Sequence, residues 1–497
     1  MKQLLYTALL SAVIFNTTSC SKQLDLVPVS NTTTGNFYSN ANDFAQAVTG
    51  AYSNLTNYPS QALWLGELRS DNINGQDDGN RDWAGINNFA KNITSTGFIT
   101  TAWNENFNGI YNANSVLQAL DEKGSVIKDT ALANRYRAEV RFLRGFYYFQ
   151  LVKLFGKVPV VTTPLSSAEV ASVPRSEISA VYDLILSDFL YAASVLPASY
   201  TGGNIGRATS GAANGYLGLV YLTRSGPTYS VNGPGLNSNE YDKALTYLNK
   251  VINAGVYDIL PTYPAVFSYT NENNNEVVFD VQFMSSNNGA SFPSHLVPVA
   301  YWTSLGYAST YGNGYGSSSF DITSNLRNSF RPNGTVQDVR DTFSVNYTYG
   351  VSTFYKKYID LSRRGNSGTD WPVNFIALRY ADILLLKAEA ILHGAAGNQA
   401  EVDSLVNKIR NRAKLGSISQ VTTAQLLEER RREFAGEGIR WNDLVRSGNA
   451  VTILNAWIAT DNLGSQINQV VPSYIIYPVP SAEIITSNGV YKQNDGY

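Results

Sequence analysis

Apolar residues recur at helical spacing along much of the chain. In YDKALTYLNKVINAG, Tyr241, Ala244, Leu245, Leu248, Val251 and Ile252 fall at i, i+3, i+4, i+7, i+10 and i+11. That single stripe predicts an amphipathic helix stopped by Gly255 in cap position. SEISAVYDLILSDFLYAASVLP predicts another, with Ser176 as N-cap, Glu177 in the first turn and a stop at Pro197. Between them, SGAANGYLGLVYLTRSG sets Ala212, Ala213, Gly215 and Gly218 in a helix. Small residues there cost helix propensity but admit a neighbouring helix at close range.

The segment LGLVY fits the L-G-x-x-Y of a tetratricopeptide first helix, and ALTYL resembles the second, with a loop of about Gly226 to Asn239 between them. A generic helical hairpin accounts for the same pattern. A second pair, FIALRYADILLLKAEAILHG followed by EVDSLVNKIRNRAKLG, repeats it towards the C-terminus. The expectation is a mainly α protein built as a helical-repeat scaffold over about 40–260 and 372–450. Asn271 to Gly368, rich in Asn, Ser, Gly and Tyr, interrupts it as a loop-rich insert. No low-complexity linker divides residues 20–497, so one domain is expected.

The N-terminus follows a different pattern. Lys2, an apolar stretch from Leu4 to Phe15 and the small residues Thr17, Thr18 and Ser19 precede Cys20, the one cysteine in 497 residues. This is export-signal anatomy, and the stretch is shorter than the roughly 20 apolar residues that span a bilayer. Bacterial lipoprotein signals are cut just before a cysteine whose thiolate takes a diacylglycerol, so residues 1–19 are expected to be a signal peptide and Cys20 the lipidation site. Thr17 stands where such signals usually have Leu. The alternative is an ordinary secretory signal with an incidental cysteine. Several acyl chains would hold the protein firmly at a membrane, leaving a soluble body behind the tether.

Composition excludes several classes. With 37 basic and 39 acidic residues the net charge is −2, so no broad basic field exists for nucleic acid. The two histidines, His295 and His393, lie far apart with no second ligand at metal spacing, which leaves little from which to build a zinc site or a His-dependent triad. No cofactor is called for. Asp71, Asp77, Asp78 and Asp82 in SDNINGQDDGNRD offer hard oxygens, but the spacing fails the EF-hand rule and a solvated loop is the default.

In EERRREFAGEGIRWNDLVR, Glu429, Glu433 and Glu437 recur at i+4 within reach of Arg430, Arg432 and Arg440, and Asp443 and Arg446 continue the pattern. A general acid needs a raised pKa, which neighbouring arginines oppose. The reading is an ion-pair network that staples helices, and the same applies to Glu139, Arg141 and Arg144.

Aromatics are abundant, with 32 Tyr, 7 Trp and 21 Phe. Sugars offer flat C–H patches ringed by hydroxyls, so a glycan site needs an aromatic platform with amides or carboxylates beside it. Two clusters lie among Gly and Asn instead of on a helical stripe: GNRDWAGINNF around Trp83, and VAYWTSLGYASTYGNGYG from Val299 to Gly316. A loop location favours exposure. By contrast AWNENFNGIYNAN puts Trp103, Phe107, Ile110 and Tyr111 at helical spacing, as core.

RYRAEVRFLRGFYYFQLVKLFGKVPVV, residues 135–161, resembles the signature segment of the SusD/RagB family of outer-membrane nutrient-binding lipoproteins. GRATSGAANGYLGLVYL from Gly206, ERRREFAGEGIRWNDLVRSG from Glu429 and the ending YPVPSAEIITSNGVYKQNDGY resemble further family motifs in the same order. Gly145 stands where the family more often has Ala. The resemblance implies a SusD-like fold and a lipid-anchored, cell-surface protein of the outer membrane. Such a protein captures an oligosaccharide, less often a peptide, delivers it to a SusC-like TonB-dependent transporter and does not cut it. The family places a stacking tryptophan in the loop after an early L-x-x-D, and here GELRSDN precedes Trp83. The implied site has Trp83 as platform, Asn87 and Asn88 as hydroxyl partners, and Tyr301, Trp302, Tyr307, Tyr311 or Tyr315 across from it. Two alternatives stay open. A secreted glycoside hydrolase would need two carboxylates about 5 to 9.5 Å apart, and a structural repeat scaffold for protein partners would have no use for loop aromatics.

Overall fold

The computed structural model describes residues 37–76, 81–286, 288–312, 319–331, 338–347 and 352–497. Cys20, Asp77, Asp78 and Tyr315 lie outside them. The longer helices are α1 (Ala41–Ser53), α2 (Gly97–Lys123), α3 (Thr130–Phe155), α4 (Ile178–Val195), α5 (Ser210–Ser225), α6 (Tyr241–Asn253), α7 (Tyr380–Leu392), α8 (Gln399–Arg412), α9 (Thr423–Glu433) and α10 (Ala450–Thr460). Neighbours in sequence pack on one another: α2 on α3, α3 on α4, α4 on α5, α5 on α6, α7 on α8, while α6 and α7 join the two runs.

The stripe in α6 buries Ala244, Leu245, Leu248 and Val251. Gly255 follows it at φ +66°, a conformation open to glycine. In α5 the small residues do what their size allows, since a Cβ on Gly218 would meet Leu248 of α6 at 2.6 Å and one on Gly215 would meet Leu378 at 2.7 Å. Helix α4 is long and apolar enough to cross a membrane by length and composition, but it packs between α3 and α5.

Two boundaries differ from expectation. Helix α4 begins after Glu177, which makes no side-chain cap, because the Ser176 N–H is held by the Val158 carbonyl at 2.9 Å. Phe375–Arg379 is not helix but strand β6, paired antiparallel with β2 (Val277–Val281). The insert carries the ladder of β4 (Val345–Asn346) with β5 (Phe354–Tyr355), and its β3 (Ser319–Ile322) pairs with β1 (Ile73–Gln76) of the N-terminal run. One cluster of buried apolar side chains runs from Phe44 through both helical runs and the insert to Tyr491, and a smaller one surrounds Trp441 and Trp457.

The charged C-terminal motif is buried as a network, and many of its partners come from elsewhere in the chain. Glu433 receives Arg340 at 2.9 Å, Arg379 at 2.7 Å and also Arg412. Glu437 takes Arg379 at 2.9 Å and Lys357 at 2.8 Å. Within the motif, Arg432 pairs with Glu429 at 2.5 Å and Asp443 takes both Arg430 and Arg446 at 2.8 Å, whereas Arg430 also reaches Asp382 and Arg440 turns to Asp71. Asp71 is thereby taken by arginines and is not free to bind a cation. Burial pushes the Glu429 carboxyl up, but Arg340, Arg432 and Arg410 outweigh it and hold it near 2. In α3, Arg141 and Arg144 both bind Asp188, and Glu139 pairs with Arg207 and Arg135. There burial wins, and the Glu139 carboxyl lies above its ordinary value despite the arginines.

Candidate functional site

A cleft of about 610 Å³ opens between Asn57–Leu65, the first turns of α2, Asp82, Ser291–His295, Thr310–Gly312 and Ser367–Thr369. Its floor is aromatic. Trp64 sits in a π-helical turn, Leu63–Glu67, a local widening of the helix often found at functional sites. The Phe98 ring lies 4.8 Å from the Trp64 ring at 34°, and the His295 ring lies 5.7 Å away at 33°. Phe320 of β3 supports Trp64 edge-on at 5.7 Å.

The turn is pinned from below. The Glu67 carboxylate accepts the N–H groups of Gly436 and Gly438, both at 3.1 Å, the Tyr355 hydroxyl at 2.7 Å and the Asn72 amide at 2.8 Å. Polar groups ring the aromatic floor. Asn57 Nδ2 donates to Glu105 at 3.0 Å, Gln61 Oε1 accepts from Asn106 at 2.7 Å, and the Ser60 hydroxyl and His295 Nε2 are 2.6 Å apart. Desolvation holds the His295 imidazole down to about 4, so it is neutral at pH 7. Asp82 and Glu105 also line the cleft, a carboxylate pair that sequence spacing gave no reason to associate.

The structure buries four of the seven described contact residues in the core. Trp83 is fully buried and packs on Phe320 at 4.9 Å, beneath Gly75, where a Cβ would meet its ring at 2.7 Å. Asn87, 1 % exposed, ties its own loop together by donating to the Leu68 and Ile73 carbonyls and accepting from Gly75 N–H. The Asn88 carbonyl is taken by Asn468. Trp302 and Tyr311 are buried against each other and Trp371, with the Tyr311 hydroxyl on the Gly365 carbonyl at 2.6 Å.

Tyr301, half-buried, packs on Phe354, and the Tyr307 hydroxyl accepts from Arg364 at 3.0 Å. The physical reason for the correction is that a Gly- and Asn-rich loop has few apolar groups with which to anchor itself. Its rings supply that burial. Residues beside the buried rings reach the cleft instead: Asp82 next to Trp83, and Thr310 and Gly312 on either side of Tyr311.

The floor residues were missed. Trp64 lies in the apolar run ALWL, which reads as core, and Phe98 and His295 carry no local signal. The stretch read as core in α2 divides as well, with Trp103 and Ile110 buried, Phe107 half-buried and Tyr111 46 % exposed.

Comparison with known proteins gives two family matches. Residues 24–222 match a family described as starch-binding and associating with the outer membrane, and residues 300–497 match the SusD family. SusD-like protein P2 of Formosa agariphila is 25 % identical over 93 % of this chain and 94 % of its own. Among solved structures, surface glycan-binding protein A from Bacteroides thetaiotaomicron superposes with a TM-score of 0.76 at 22 % identity, covering 92 % of this chain and all of that one. The same protein in complex with laminarihexaose gives 0.74 at 22 % identity, covering 92 % and 99 %.

Proposed function

The chain belongs to the SusD/RagB family, and from that premise we propose that it captures a glycan in the Trp64 cleft and delivers it to a SusC-like TonB-dependent transporter. The observation that carries the reading is the cleft itself. Half-buried Phe98 and Trp64, itself 3 % exposed, line a space of about 610 Å³ rimmed by Ser, Thr, Asn, Gln and two carboxylates, the mixture that a sugar's C–H faces and hydroxyls require. Relatives support the ligand class, one being a surface glycan-binding protein with laminarihexaose bound. Lipid attachment at Cys20, display at the cell surface and a single domain over residues 20–497 complete the proposal.

Binding without cleavage is the expected chemistry. Glu105 is already engaged by Asn57, which suits a hydroxyl-pairing role better than proton transfer. Calorimetry against a panel of soluble polysaccharides, with a parallel assay for new reducing ends, tests this. Heat of binding with no reducing ends supports capture; release of reducing ends assigns Asp82 and Glu105 to hydrolysis; no binding to any member rejects the site.

A further inference from the structure

A second groove, of about 800 Å³, lies on the other flank of α2, walled by the segment Pro164–Val170 and by Glu483 of the helix Ser481–Thr486. Its α2 wall presents Phe107 and the 46 % exposed ring of Tyr111 beside Asn104 and Asn108. Among the described residues, the Asn104, Asn108 and Glu483 side chains and the Tyr111 hydroxyl have no hydrogen-bond partner within the protein. Glu483 is half-buried, and burial raises its carboxyl above the ordinary value. Asn104, Asn108 and Tyr111 are exposed, so two amides, a half-buried carboxylate and an aromatic face stand open to a ligand on one groove wall, a combination suited to sugar hydroxyls and C–H faces.

One stripe of α2 runs from the cleft to the groove. Thr101, which lines the cleft, and Asn104, Asn108 and Tyr111, which line the groove, fall at i, i+3, i+7 and i+10, and all four are exposed. Residues so spaced form one stripe along a helix, here about 15 Å long at 1.5 Å per residue. A chain leaving the cleft across Thr101 meets a hydrogen-bonding track that ends on the Tyr111 ring.

We propose that this groove is a second glycan subsite, which holds the part of a polysaccharide chain that extends beyond the cleft. The inference rests on the glycan-capture reading above and adds to it a preference for long chains. Tyr111 supplies the platform, and Asn104, Asn108 and Glu483 pair with hydroxyls.

Affinity electrophoresis in gels holding, one at a time, laminarin, starch, xylan, mannan, galactan or pectin identifies a retarding polysaccharide. Calorimetry then compares that polysaccharide with its own trisaccharide for the wild type, Tyr111→Ala, the double variant Asn104→Ala/Asn108→Ala, and Phe98→Ala in the cleft. The expected result is that the two groove variants weaken polysaccharide binding about three- to tenfold, the scale of one aromatic platform, with unchanged trisaccharide affinity and thermal midpoint. Phe98→Ala weakens both ligands. Unchanged polysaccharide affinity in both groove variants, or an equal loss on the trisaccharide, overturns the second subsite and leaves the cleft standing. Retardation of the wild type by none of the six overturns the capture reading itself, and the groove with it.

Discussion

The backbone of Gly66 lies directly against that of Gly438, so close that a Cβ on Gly66 would stand 2.1 Å from the Gly438 carbonyl oxygen. The contact joins the π-helical turn that carries Trp64 to the turn that follows the charged helix α9. Gly438 has φ +76°, and its own Cβ would meet the Ala62 carbonyl at 2.5 Å, so neither residue can grow without moving the cleft floor. Gly66→Ala is therefore expected to displace the turn, weaken glycan binding and cost about 1–3 kcal/mol of stability. Calorimetry and urea denaturation of the same sample check both, and wild-type binding by the variant would show that the contact does not set the floor.

Phe98 and Trp83 are expected to separate binding from stability. Phe98→Ala removes a half-buried ring from the cleft and should lower affinity about three- to tenfold with a small change in stability. Trp83→Ala empties a fully buried site and should cost about 3–5 kcal/mol while the remaining folded protein binds normally. Loss of binding in a stable Trp83→Ala protein would return that ring to the site.

Removing one member of the buried network leaves charge uncompensated. Arg379→Met strips Glu433, Glu437 and Glu276 of a shared partner and should destabilise by about 3–5 kcal/mol. Adding Glu433→Gln should recover part of that loss, as denaturant titration of the single and double variants will show. The folded Glu429 carboxyl lies near 2, below its unfolded value. Its contribution is thus fully present above the unfolded value of about 4.5 and fades as pH falls towards 2.

Asp280 behaves in the opposite sense. Burial, opposed by hydrogen bonds from Asn374 and Gln282, raises its carboxyl to about 7. The folded protein binds this proton more tightly than the unfolded chain, so the group favours folding most below its ordinary value of 3.8 and that advantage disappears as pH rises through 7. Asp280→Asn should stabilise the protein at pH 8 and have little effect near pH 4, measured by denaturant midpoints at the two pH values.

Cys20→Ala should abolish fatty-acid labelling in cells and leave an unprocessed or misplaced protein whose body still folds. Undiminished label in the variant would remove Cys20 from the anchor.

Much of the scaffold was legible because helical periodicity is local. The α6 stripe, the close approach allowed by Gly215 and Gly218, and a charge-rich motif too dense in arginine to hold a general acid all follow from residues within a few turns of one another. The ordered motifs from residue 135 to Tyr497 carried the family in the same way. The binding face was not legible, because exposure of a loop ring depends on what the rest of the chain lays over it. Trp83 is covered by Phe320, the Tyr311 hydroxyl is met by Gly365, and Asp71 is claimed by Arg440, contacts that span about 54 to 369 positions. Trp64 reads as core from its apolar neighbours and is only 3 % exposed, yet it lines the cleft, with Gly438 against its turn and Phe98 of α2 beside its ring. Local spacing encodes which residues form helices; only long-range packing decides which aromatic faces remain open to a ligand.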